Sequence, residues 1–209
     1  MDFSKLPSSL YTLNIPRQHW LSHLSNFENR YDRYDKELFG KLQGIVETLL
    51  TFDMDKCPRF VFMCGKPGSG KTHFNVGLYR ALLQKKGYAA GDGVLFIEYR
   101  EMVSEIIAGF DEKIPVRTAL HAWMRPRIVI LDDVTSNERL LKEGSMEQTL
   151  LRDILIERYE SKGVLVISSN LSWKELVHEF DRLFGDYISS RIADSVVIEF
   201  PNVDFRRKK

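Results

Sequence analysis

Eight consecutive residues, Gly65-Lys66-Pro67-Gly68-Ser69-Gly70-Lys71-Thr72, fit the pattern G-x-x-x-x-G-K-[ST]. Glycines so placed let successive backbone N–H groups turn into one concavity, and a lysine adds a point charge, so the chemistry is the holding of a polyphosphate. In this reading residues 65–73, through His73, form the ATP cradle, Lys71 meets the β- and γ-phosphates, and Thr72 ligates magnesium (Mg2+). A second feature lies downstream, where the apolar run Ile128-Val129-Ile130-Leu131 ends in Asp132-Asp133. Asp132 falls where a carboxylate holds the magnesium, directly or through its water shell. Asp133 falls where a general base polarises the attacking water, with a side chain shorter than the glutamate usual there. ATP and Mg2+ are the expected cofactors, and hydrolysis of ATP the expected reaction.

Such residues need a strand before the loop, a helix after it and a neighbouring strand for the acids. The patterning supplies all three. Short apolar runs at 60–64, 94–97, 128–131, 164–167 and 196–200 read as buried parallel strands. Segments of helical period at 73–86, 100–108, 146–161 and 173–184 alternate with them, which predicts an α/β fold with a parallel five-stranded sheet flanked by helices. Ahead of these, Leu38, Leu42, Ile45, Val46, Leu49 and Leu50 recur at helical steps over 36–51. Residues 1–26 show no period; Tyr11, Ile15, Trp20, Leu21 and Leu24 are scattered anchors in a short arm. The expected organisation is an N-terminal arm and helix over 1–55, open to partner binding, and a core over 56–209.

Composition narrows the class further. Thirty Lys and Arg stand against 29 Asp and Glu, a formal net charge of +1, so any nucleic-acid contact must come from a local basic surface. Two cysteines, Cys57 and Cys64, build neither a disulfide framework nor a four-cysteine zinc site. No apolar stretch approaches the ~20 residues of a membrane span, and the first residues lack a signal-peptide pattern. A cytoplasmic protein with no membrane partner is expected.

Three later segments add a resemblance. Ile167-Ser168-Ser169-Asn170-Leu171-Ser172 ends the fourth strand, Arg158-Tyr159 closes the helix before it, and Ser190-Arg191-Ile192 follows. With the phosphate loop and the acidic strand end, in that order and spacing, the stretch from about 60 to 200 resembles the AAA+ ATPases of the DnaC, DnaI and IstB group. The resemblance implies a P-loop AAA+ (ASCE) core. It places Asn170 as sensor 1 between the acidic strand end and the γ-phosphate, and Arg191 as an arginine finger acting on a neighbouring subunit's nucleotide. A homo-oligomer joined through its ATP sites follows.

The pattern departs from the group at both ends. Few residues follow the fifth strand, so no full C-terminal lid domain is expected, although Asp204-Phe205-Arg206 faintly resembles the terminal motif of DnaC-type proteins. The front is shorter than a DnaC or DnaI helicase-binding domain, and His19 with His23 is too few for a zinc site. Between the second and third strands the group carries helices that face the oligomer pore. Here that segment holds Arg100, Lys113, Arg117, Arg125 and Arg127 with Phe110 and Trp123 interleaved, which suits single-stranded DNA, but also Glu101, Glu105, Asp111 and Glu112, as a mixed, solvated helix face would. The function implied is that of an ATP-dependent loader of a hexameric, DnaB-type replicative helicase onto single-stranded DNA. Two alternatives stand beside it: an IstB-like transposition helper working with a transposase and duplex DNA, and a nucleotide-dependent assembly switch without significant turnover, which Asp133 motivates. A small-molecule kinase shares the loop and the length but leaves Asp132-Asp133 and Ser168-Ser169-Asn170 without a role.

Overall fold

Strands β1 (Phe60–Cys64), β2 (Val94–Glu98), β3 (Ile128–Asp132), β4 (Val164–Ser169) and β5 (Val196–Glu199) run parallel in the order β2-β3-β4-β1-β5. The computed structural model describes residues 15–28, 34–51, 53–85, 93–109, 115–134 and 144–205. Every residue of β1, β3 and β4 is buried, which is why these runs are apolar on both faces. β3 and β4 extend past their apolar residues to Asp132 and to Ser168-Ser169, because ladder partners rather than hydrophobicity decide where a strand ends. From β1 the chain crosses to the far edge, enters β2 and works back, so a crevice opens beyond the strands' C-terminal ends. Those ends carry Glu98, Asp132 and Ser169.

The helices are α1 (Leu24–Glu28), α2 (Lys36–Thr51), α3 (Lys71–Gln84), α4 (Tyr99–Ala108), α5 (Val116–Trp123), α6 (Met146–Glu160), α7 (Trp173–Phe184) and α8 (Asp186–Ile192), with a 3-10 turn at Arg17–His19. Alternate strand residues feed two cores. Phe60, Phe62, Leu95, Ile97, Val129, Leu131, Leu165 and Ile167 pack with α4 to α8, while Val61, Met63, Phe96, Ile130 and Val166 pack with α2 and α3. The helical spacing read over 36–51 corresponds to α2, whose Leu38, Leu42, Ile45 and Leu49 are buried.

α3 has no polar face over its first two turns. His73 to Tyr79 are buried without a break, because the sheet covers one side and the segment at 15–28 the other. Gly77 permits that cover: a Cβ there would come within 2.9 Å of the Leu24 backbone nitrogen. Of the expected anchors in this range Ile15 and Leu24 pack on the second core, whereas Trp20 and Leu21 are exposed. Tyr11, another expected anchor, lies outside the described residues, as do Phe110, Lys113 and Arg206. Among the described residues no helix is long and apolar enough to cross a membrane.

Candidate nucleotide site

The loop leaves β1 at Gly65 with φ 140°, and a Cβ there would press within 2.9 Å of the Phe200 carbonyl oxygen. Gly68 and Gly70 also lie at positive φ, 81° and 105°, where side chains are strained. α3 then starts at Lys71, two residues earlier than the apolar period indicates. Its cap, Gly70, offers no side chain to the first turn, so the helix's leading N–H groups are left for an anion. The crevice in front is a cleft of about 480 Å3, within the usual size of ligand pockets. Pro67, Gly68, Gly70, Lys71, Thr72 and His73 line it, together with Asp132, Asp133, Ser168 and Asn170.

Two hydrogen-bonded chains join the strand ends. Thr72 Oγ1 donates to Asp132 Oδ2 at 2.7 Å, and the other Asp132 oxygen accepts from Asn75 Nδ2 at 2.8 Å and Ser168 Oγ at 2.5 Å. The expected metal residues thus meet at one point, and hard oxygen donors with room for phosphate and water suit Mg2+. In the second chain Lys71 Nζ donates to Asn170 Oδ1 at 3.1 Å and to the Lys66 carbonyl at 3.0 Å, while Asn170 Nδ2 donates to Asp133 Oδ1 at 2.8 Å. Asp133 is one of two non-glycine residues at positive φ among the described residues, 55°, and its N–H donates to Ser168 Oγ at 2.9 Å. That left-handed turn, tolerated by aspartate, brings its carboxylate to Asn170 at the end of the neighbouring β4.

Residues 16–208 match the IstB-like ATP binding protein family. The chain belongs to that family. The IstB-like chain is also similar in fold to the DnaC helicase loader, with a TM-score of 0.62 at 19% identity, covering 89% of this chain and 100% of that one. DnaI gives a TM-score of 0.66 at 18% identity, over 90% and 96% of the two chains. YqaM of Bacillus subtilis, an uncharacterized protein, is 26% identical over 141 residues, which span 66% of this chain but only 42% of that relative.

Several residues of this IstB-like site escape a reading by motif. Glu98, in register with Asp132, lines the cleft as a third acid; burial first, then Asp132 and Asp133, hold its carboxyl above the ordinary value. An acid ending an apolar run, the signal used for Asp132, was available for it. Asn75 has no such signal. The opposite wall comes from the arm: Pro16, Gln18, His19, Leu21, Ser22 and Asn26. His73 turns toward this wall, with Nε2 2.7 Å from Asn26 Oδ1. Gly65, Lys66 and Ser69 are not part of the cleft lining, and burial pushes the neighbouring Cys64 thiol up to about 12.

The remaining residues of the family resemblance lie away from the cleft. Arg191, in the last turn of α8, is absent from its lining; its guanidinium sits 3.3 Å from the Tyr187 ring centroid and 5.1 Å from that of Tyr159. Arg158 is buried and donates to the carbonyls of Met124, Pro126, Arg127 and Val164 at 2.6 to 2.7 Å, a structural task. Arg100, Arg117, Arg125 and Arg127 are exposed, whereas Trp123 packs half-buried on the first core.

Proposed function

We propose that the chain hydrolyses ATP with Mg2+, assembles with copies of itself through its nucleotide sites, and loads a DnaB-type replicative helicase onto single-stranded DNA. The observation that carries the ATPase part is the pair of chains Thr72–Asp132 and Lys71–Asn170–Asp133 at one helix N-terminus. Bound Mg-ATP supplies the phosphoanhydride and the charge neutralisation around it. The loop N–H groups hold the phosphates, Lys71 draws charge from the β- and γ-oxygens, and Asp133, oriented by Asn170, takes the proton of the attacking water. Arg191, outside its own cleft, reaches the nucleotide of the next subunit. Likeness to the DnaC helicase loader along that whole chain supports the loader reading.

A transposition helper is the second reading, and the family match favours it. DNA preference separates the two. The loader predicts ATP-dependent binding of single-stranded oligonucleotides that weakens with salt along a slope of only a few, since the exposed arginines neutralise few phosphates per subunit. Fluorescence anisotropy with single-stranded and duplex probes measures this. Duplex preference would transfer the assignment to the transposition helper. A wild type that binds ATP yet turns over none, with DNA and helicase present, would make it an assembly switch.

A further inference from the structure

A phosphate loop works by aiming backbone N–H groups into its cleft, and in a trans peptide the carbonyl of the same unit then points the opposite way, into the protein. Each such carbonyl needs a donor of its own. Behind this loop two come from outside the motif. Tyr34 Oη donates to the Ser69 carbonyl at 2.8 Å, and the Phe205 N–H donates to the Gly68 carbonyl at 3.0 Å. Tyr34 and Phe205 are both buried, one ahead of α2 and one past β5.

The tyrosine is held tightly. Its ring stacks on Phe27 with centroids 5.2 Å apart and meets Phe205 and Phe200 edge-on at 5.3 and 6.2 Å. Gly70 leaves the space for it, because a Cβ on that glycine would collide with Tyr34 Oη. The glycine before Lys71 therefore serves the close approach of a side chain behind the loop as well as the backbone turn.

We infer that Tyr34 is a positioning residue for nucleotide phosphates: by anchoring the Ser69 carbonyl, its hydroxyl fixes the Ser69–Gly70 peptide so that the Gly70 N–H faces the cleft. The inference rests on the ATP-binding reading and deepens it. The hydroxyl touches no phosphate itself; it acts through the peptide plane. Its loss should weaken binding of the phosphates and spare binding of the base and ribose.

Tyr34→Phe removes one oxygen and keeps the ring. Calorimetry with ATP and with inorganic triphosphate should show about a tenfold loss of affinity for each, the size of one hydrogen bond, while adenosine, followed by NMR titration, binds as to the wild type. Unchanged affinity for ATP and triphosphate, or an equal loss for adenosine, would overturn the inference, the second because it marks general loosening. Backbone 15N relaxation of the nucleotide-free wild type needs no variant to fold: Ser69 and Gly70 should have order parameters near 0.85, as rigid backbone has, and values under about 0.6 would equally overturn it. A wild type that binds neither ATP nor triphosphate sinks the nucleotide reading itself.

Discussion

Asp132 and Asp133 are adjacent in the chain but occupy different surroundings. Asp132 accepts from Thr72, Asn75 and Ser168, whereas Asp133 turns through a left-handed residue to Asn170. Asp133→Asn should therefore leave ATP affinity near that of the wild type and cut kcat by about 10² or more, the usual share of a positioned base. Asp132→Asn should weaken ATP binding with magnesium present and leave metal-free binding almost unchanged; calorimetry with and without chelator reads the difference. A third residue governs stability. Burial pushes Arg158 down to about 10, and its guanidinium donates to four carbonyls. Gly163 has no Cβ because one would fall on that guanidinium. Arg158→Ala should cost more than about 3 kcal/mol in urea unfolding, from four carbonyls each losing a charged donor, and Gly163→Ala should also destabilise by displacing the same group.

At the scale of elements, the helix ends set the site. α3 begins uncapped, so its N–H groups remain for a ligand, but α7 begins with a capping box: Ser172 Oγ accepts from the Glu175 N–H and the Glu175 carboxylate accepts from the Ser172 N–H. Capping suits α7 because its cap lies two residues past Asn170, and a frayed start would loosen the amide that links Lys71 to Asp133. Ser172→Ala should cost about 1 kcal/mol of stability, seen as a lower urea midpoint at constant m. If α7 anchors Asn170 as proposed, kcat should fall more than ATP affinity does.

The whole molecule presents its cleft and Arg191 at separate places, as the proposed shared site requires. Between its two tyrosines the guanidinium is held, with Nη1 donating to the Tyr187 carbonyl at 2.6 Å. Arg191→Ala subunits should bind ATP normally and turn over roughly 10³-fold to 10⁵-fold more slowly, the range for arginine fingers. Adding Lys71→Ala subunits, which keep Arg191 but lose the nucleotide, should restore turnover at mixed interfaces. Oligomers shown to be mixed yet inactive at every ratio would make Arg191 a cis-acting or purely structural residue.

Local features were legible in the chain itself. The glycine spacing of residues 65–72, the five apolar runs and the helical step of α2 each depend on near neighbours, so pattern alone located the loop, the strands and the first acid pair. Short helices escaped: α5 and α8, of eight and seven residues, take their stability from packing on α4, α6 and α7 rather than from their own period. The arm at 15–28 had no period because its anchors find their partners on α3 and at Tyr34, and so its place as a wall of the cleft was decided in three dimensions. The same holds for Glu98, set beside Asp132 by the strand order, and for Tyr34 and Phe205, far apart in sequence yet donating to adjacent loop carbonyls. A contiguous motif prescribes which backbone groups can face a phosphate; the donors that hold those groups in place are long-range contacts, and only the folded chain brings them together.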